Sequence, residues 1–235
     1  TVSKVTLSEG AYIDWASLPL GGEGIKSAFM QYASGMALDP VKVTTMQDNL
    51  NSLVPGLAGL LLTFLCILDP YTEVIIPEPY YPNYTTFVHA AGGVIRALPT
   101  NPWEGYRYAN RERIESLITP NTRAIMITNP GNPTGVVLTP EEMRLMVDIA
   151  KEHNLFIIGD EAYREFVYGG EPLQSLGQFE DAAENVVVLD TVSKRFSACG
   201  ARIGCIISRN KELIQKSKEQ ASKQVFYLCM ELSML

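Results

Sequence analysis

The sequence predicts an α/β domain with a mostly parallel sheet, and three observations carry that prediction. Short apolar runs rich in β-branched residues recur at 73–77, 93–98, 123–128, 156–159, 186–189 and 203–207. The runs at 186–189 and 203–207 lack any apolar–polar alternation, so each reads as a strand buried on both faces. Helical segments separate most of the runs, and strands alternating with helices imply parallel pairing through crossover connections.

Residues 1–40 read as irregular, with Leu18-Pro19-Leu20-Gly21-Gly22-Glu23-Gly24 as a turn-rich segment and Ile25 to Tyr32 as a short helix. Val41 to Thr45 has strand character. Pro55-Gly56 opens a helix to about Leu68 that is apolar nearly all round and therefore predicted to be buried. Gly56 reads either as a plain turn or as an anion site, because free amides at a helix start favour phosphate. A strand over Glu73–Pro77 leads through Glu78-Pro79-Tyr80-Tyr81-Pro82-Asn83-Tyr84 into a helix, and a strand follows at Gly93–Leu98. An amphipathic helix is predicted over Arg111–Thr119 and a buried strand over Arg123–Thr128. In Asn129-Pro130-Gly131-Asn132-Pro133-Thr134-Gly135, two prolines and two glycines hold the loop out of regular structure. Thr139-Pro140-Glu141-Glu142 carries an N-cap, a first-turn proline and early carboxylates, which start a helix running to about His153. The strand at Phe156–Gly159 ends in Asp160-Glu161-Ala162-Tyr163. The Val186 strand ends in Asp190-Thr191-Val192-Ser193-Lys194, a polar turn before the Ile203 strand. From Asn210 onward the chain is charged and helical.

Composition narrows the function classes. Hydrophobic residues make up 46% and charged residues 19% of the 235, as in a globular protein with a sizeable core. A net charge of −7 without any basic block argues against nucleic acid or an anionic membrane as partner. The longest apolar stretch, Leu57 to Leu68, is too short to span a bilayer, and no signal peptide opens the chain. Cys66, Cys199, Cys205 and Cys229 form no Cys-x-x-Cys motif, which reads as reduced thiols and a cytoplasmic location.

In a parallel sheet, functional groups gather at the carboxyl ends of the strands. Those ends present Asn132, then Asp160 with Tyr163, then Thr191 with Lys194. Singly, each has a bland reading as a turn residue, a helix cap, a core aromatic, a strand end or a solvated lysine. A lysine desolvated at a buried strand end can instead serve as a neutral, nucleophilic amine.

The full set resembles the class I/II aminotransferases of the fold type I pyridoxal-phosphate enzymes. The resemblance rests on the 129–135 loop, on Asp160-Glu161-Ala162-Tyr163, and on Ser193-Lys194 with Arg202-Ile203-Gly204 behind it. Leu68-Asp69-Pro70 and Pro77-Glu78-Pro79-Tyr80-Tyr81-Pro82 add to it, and the similarity covers roughly residues 55–210. It implies a three-layer α/β/α large domain over 41–235, with residues 1–40 as part of a smaller domain.

The resemblance also implies roles. Lys194 holds the cofactor, pyridoxal 5'-phosphate, as a Schiff base and then moves the substrate α-proton. Asp160 faces the pyridine nitrogen and keeps it protonated. Asn132 and Tyr163 hydrogen-bond the phenolic oxygen, and Tyr81 stacks on the ring. Thr191 and Arg202 take the phosphate, with Gly56, Leu57 and Ala58 adding helix-start amides. The implied reaction moves an amino group from an amino acid to a 2-oxo acid, in a homodimer.

Two departures from the family pattern stand out. Ile25 to Pro40 is too short for the aromatic that reaches the neighbouring subunit's cofactor, and no C-terminal small domain with a carboxylate-clamping arginine follows. The expectation is a fragment of a longer enzyme. Three alternatives stay open: a carbon–sulfur β-lyase or aminocyclopropane-carboxylate-synthase-type enzyme on the same scaffold, an inactive regulatory relative, and a plain nucleotide-binding protein. The last is disfavoured because no Gly-x-Gly-x-x-Gly or Walker-type loop follows any strand. Tyr12, Trp15 and Leu18 are candidates for a pocket mouth or for packing at a domain junction.

Overall fold

The protein is described here by a computed structural model, which places the backbone of residues 4–6, 12–14, 53–54, 56–169, 173–197 and 204–232, with side chains over 59–169, 173–197 and 204–221. The chain divides into two compact units, residues 1–53 and 54–235. In the first, β1 (Lys4–Thr6) pairs antiparallel with β2 (Tyr12–Asp14), Lys4 opposite Asp14. Tyr12 lies in β2. Trp15, Leu18, the Ile25–Tyr32 helix and the Val41–Thr45 strand fall outside the described residues, as do Cys199 and Arg202.

The second unit is built on a mixed sheet whose first strand, β3 (Leu53–Val54), begins at the last residue of the first unit. Its elements in chain order are β3 (Leu53–Val54), α1 (Gly56–Ile67), β4 (Glu73–Pro77), α2 (Asn83–Ala90), β5 (Val94–Leu98), α3 (Arg111–Glu115), β6 (Thr122–Thr128), α4 (Pro140–Glu152), β7 (Phe156–Asp160), β8 (Val186–Thr191), α5 (Val192–Arg195), β9 (Gly204–Ile207) and α6 (Lys211–Leu232). The strand order is β3-β9-β8-β7-β6-β4-β5. Pairing is parallel from β5 through β8 and antiparallel between β8 and β9.

Strand periodicity divides the core between the two faces, since successive side chains point to opposite sides. Ile75, Ile125, Ile127, Ile157, Val186 and Val188 face one way and pack with Ile114 of α3 and Met143, Met146 and Ile149 of α4. Val74, Ile76, Met126, Ile158, Val187, Leu189 and Ile206 face the other way, with Phe64 of α1, Val88 of α2 and Leu213 of α6. This is the three-layer α/β/α arrangement that the sequence predicts. Each such buried side chain contributes about 1.5–3 kcal/mol relative to exposure, so both faces are well driven.

Three elements differ from the sequence reading. The helix predicted over 111–119 ends at Glu115. Ser116 Oγ donates back to the Arg113 carbonyl (2.7 Å), and Leu117 and Ile118 donate to carbonyls three residues behind, so the helix tightens and stops. β9 is buried on one face only, its residues alternating between buried and partly exposed: Ile206 packs in the core with Phe64 and Leu213, while Ile207 on the other face is partly buried. The lysine segment is a one-turn helix, α5, rather than a turn. The α4 start matches the reading closely. Thr139 Oγ1 accepts from the Glu142 amide (3.2 Å) while Glu142 returns a carboxylate to the Thr139 amide (2.8 Å), a complete capping box.

Candidate active site

The parallel register brings the predicted residues to one edge of the sheet. Thr128 at the end of β6 is level with Asp160 at the end of β7, and Asp160 with Leu189 of β8. The segments that follow these strands therefore emerge side by side: the 129–135 loop, the 160–163 turn and α5.

The 129–135 loop is pinned from inside. The buried Asn129 accepts the Leu138 amide (3.0 Å) on its side chain, and its own amide donates to the Asp160 carbonyl (3.0 Å). Gly131 and Gly135 close the loop through a 2.8 Å backbone bond. A Cβ at Gly131 would meet Thr134 Oγ1 at 2.6 Å and the backbone of Val136 at 3.3 Å, and Gly135 has φ +74°, so both positions require glycine. The loop presents Asn132 to a cleft shared with Glu78, Tyr80, Tyr108 and Thr128.

Asp160 is the electrostatic centre of the edge. Its Oδ2 accepts from the Tyr84 hydroxyl (2.7 Å) and its Oδ1 from the Ala162 amide (3.1 Å). Burial pushes the carboxyl above its usual range, and the two donors only partly offset that. Among the described residues no cation lies within ion-pair distance of it, whereas the neighbouring carboxylates both have one: Glu161 has Arg164 at 3.5 Å and Asp190 has Arg195 at 2.6 Å. Tyr84 itself is fully buried in α2 and also bonds Thr128 Oγ1 (2.9 Å). Burial and the Asp160 charge raise its phenol well above the ordinary value, so it stays protonated, donating to Asp160 and accepting from Thr128 Oγ1.

Tyr84 is the residue that sequence reasoning missed. Only its place in Tyr80-Tyr81-Pro82-Asn83-Tyr84, on the first turn of a helix that follows a strand end, could have pointed to it. Its ring meets that of Tyr81 edge-on at 5.5 Å, and Asn83 Nδ2 donates to the Tyr81 hydroxyl (2.7 Å). Tyr81 is thus fixed, half-buried, within one ring of Asp160.

On the other side, Lys194 Nζ lies 5.7 Å from the centre of the Tyr163 ring, which in turn packs edge-on against Phe166 at 5.8 Å. Lys194 is exposed, not desolvated as the sequence reading expected. It sits on the open side of the single turn of α5, where the described residues leave it in solvent. Thr191 caps that turn, accepting the Ser193 amide (3.2 Å) and donating to Ser193 Oγ (3.0 Å). The structure therefore groups Tyr81, Asp160, Tyr163, Thr191 and Lys194 about adjacent strand ends, with Asn132 on the same edge. Arg202 lies outside the described residues. Gly56, Leu57 and Ala58 form the first turn of α1, and their side chains are not described.

The sequence profile described as "Aminotransferase class I and II" matches residues 25–231, nearly the whole chain. The chain belongs to the class I and II aminotransferase family. Among curated relatives, the aspartate/prephenate aminotransferase of Thermus thermophilus is 37% identical over 151 residues, covering 64% of this chain and 38% of its own. The aspartate aminotransferase of Bacillus subtilis is 39% identical over 145 residues, covering 60% and 36%. The solved Thermus thermophilus aspartate aminotransferase with maleate superposes with a TM-score of 0.70 at 31% identity, over 77% of this chain and 48% of that one. The chain spans about two fifths of the length of the curated relatives it matches. Class I and II aminotransferases use pyridoxal 5'-phosphate, and the residues at this edge fit that group. A half-buried carboxylate with donors but no cation among the described residues suits a protonated pyridine nitrogen, a fixed aromatic ring lies nearby, and a primary amine stands exposed at the next strand end.

Proposed function

We propose that this chain is the cofactor-binding part of an aminotransferase that moves an amino group from an amino acid to a 2-oxo acid. The observation that carries the reading is Asp160: a carboxylate at a strand end, held by Tyr84 and Ala162 and facing no cation among the described residues. When bound, pyridoxal phosphate supplies an electron sink for the charge left on the substrate α-carbon.

The protein's own groups supply the rest. Asp160 holds a proton on the ring nitrogen, since an adjacent carboxylate favours the cation. Tyr84 orients that carboxylate and keeps it ionised. Tyr81 offers its face to the ring. Asn132 and Tyr163 donate to the phenolic oxygen, and Thr191, Arg202 and the amides of Gly56, Leu57 and Ala58 take the phosphate. Lys194 would hold the cofactor through its primary amine and would serve as the base that moves the substrate α-proton. We further propose a homodimer in the cytoplasm. Among the described residues no helix is long and apolar enough to cross a membrane.

The test is reduction with borohydride in the presence of pyridoxal phosphate, followed by peptide mass spectrometry. A phosphopyridoxyl adduct on the peptide holding Lys194 is the expected result. Unmodified Lys194 in folded protein would overturn the reading. Amino-group transfer from an amino acid to a 2-oxo acid, rather than release of pyruvate and ammonia, distinguishes this reaction from β-elimination.

A further inference from the structure

We propose that the Asp190–Arg195 ion pair is the positioning element for Lys194: it fixes the rotation of α5 and so aims the amine at Tyr163. The proposal rests on the reading of Lys194 as the cofactor anchor.

α5 is too short to hold itself. A single helical turn fixes several residues for one or two hydrogen bonds and is unfavourable in isolation. Its backbone contributes the Phe196 amide to the Val192 carbonyl at 3.1 Å, and the chain leaves through Ser197 in the left-handed region at φ +49°. Thr191 holds the entry. The exit is held by the side chain of Arg195, whose Nη2 donates to Asp190 Oδ2 at 2.6 Å. Asp190 is the penultimate residue of β8, and its other oxygen accepts the Thr191 amide at 2.7 Å. The pair therefore staples the end of α5 to the strand that leads into it. Arg195 Nε also lies 3.4 Å from Glu165 Oε1, an ion pair without hydrogen-bond geometry. That contact reaches the turn bearing Tyr163, although the exposed Glu165 makes it the weaker of the two.

Helical geometry turns this staple into an aiming device. Adjacent residues on a helix point about 100° apart. With Arg195 drawn inward, its side chain 10% exposed against Asp190 at 9%, Lys194 is turned to the open side, where its Nζ stands over Tyr163. The lysine's direction is set by its neighbour's buried charge. A lysine at 195 would keep the charge but lose the planar fork that reaches Asp190 and Glu165 together.

The experiment uses the full-length protein, its R195M and R195K variants and the double variant D190N/R195M, which leaves no half of the pair buried alone and serves if R195M fails to fold. Three quantities are measured: the rate at which borohydride traps pyridoxal phosphate on Lys194, the induced circular dichroism per bound cofactor, and the rate at which trinitrobenzenesulfonate labels Lys194 in cofactor-free protein. R195M or the double variant is expected to trap about tenfold to a hundredfold more slowly, the order that a misplacement of about an ångström costs. Its induced dichroism falls alongside, labelling stays within about twofold because the amine is exposed, and R195K recovers part of the loss. Unchanged trapping and dichroism, or labelling that falls as far as trapping, would overturn the positioning role. No adduct on Lys194 in the parent protein would instead overturn the cofactor reading and this proposal with it.

Discussion

The two ends of the central sheet handle buried charge in opposite ways. At the amino end, Glu73 opens β4 and is saturated: its Oε2 accepts from Thr119 Oγ1 (2.6 Å) and Thr122 Oγ1 (3.2 Å), with Arg96 at 3.8 Å from Oε1. Each donor comes from an adjacent loop or strand, so the cluster ties β4, β5 and β6 together. At the carboxyl end, Asp160 has two donors and no cation within ion-pair distance among the described residues. One end is finished as a folding contact, whereas the other keeps a carboxylate without a cation among the described residues. The lesson is that a charge left uncompensated in a well-packed scaffold marks where a ligand completes the structure.

Several substitutions test that contrast. K194A is the most severe: under the proposed role it removes the proton-carrying amine and lowers kcat by at least ~10²–10⁴-fold, read by steady-state amino-group transfer, with folding unchanged because the side chain is exposed. D160N comes next and carries opposite signs in two assays. Cofactor affinity falls while the ligand-free protein becomes more stable. The folded carboxyl keeps its proton to higher pH than the unfolded one. Stability is therefore present below the unfolded pKa of about 3.9 and is lost as pH rises through the interval up to the folded value. D160N removes this loss, so urea midpoints at pH 4 and pH 7 draw closer together than in the parent. If D160N instead lowers stability at neutral pH, the contrast between the two ends fails.

Y84F removes one donor to a charged acceptor, an interaction worth about 1.5–3 kcal/mol. It weakens cofactor binding roughly tenfold or more, as read by fluorescence titration. At the other end E73Q is expected to cost about 1 kcal/mol of stability and to leave cofactor affinity unchanged, since nothing at the amino edge faces the site. The smallest effect is T139A, which breaks the α4 capping box for about 1 kcal/mol or less and shifts the urea midpoint with no change in activity. An effect of E73Q or T139A on cofactor affinity would blur the distinction that D160N sharpens.

Much of this could be seen in the sequence where local chemistry is decisive. The buried strands announced themselves by unbroken β-branched runs, and Thr139-Pro140-Glu141-Glu142 specified its helix start down to the reciprocal bonds. Asn132, Asp160, Tyr163 and Lys194 were visible because each closes or follows a strand. What stayed hidden depends on partners distant in sequence. Tyr84 reaches Asp160 across 76 residues, a pairing that only the sheet register creates. The early end of α3 follows from a single serine hydroxyl turning back on its own helix. The exposure of Lys194 depends on which way one helical turn is rotated, and no periodicity can be read from four residues.

The antiparallel pairing of β8 with β9 has a consequence for the order of assembly. Thr191 pairs with Gly204, a separation of 13 residues, whereas Asp160 pairs with Leu189 across 29. With a closure cost that grows as 1.5 RT times the logarithm of loop length, the shorter loop is favoured by about 0.7 kcal/mol. The strand pair bracketing Lys194 is thus among the least costly non-local contacts for the chain to make, while the parallel pairings wait on whole crossovers. The lysine's seat is framed early, and Asp160 arrives later, when β7 docks alongside.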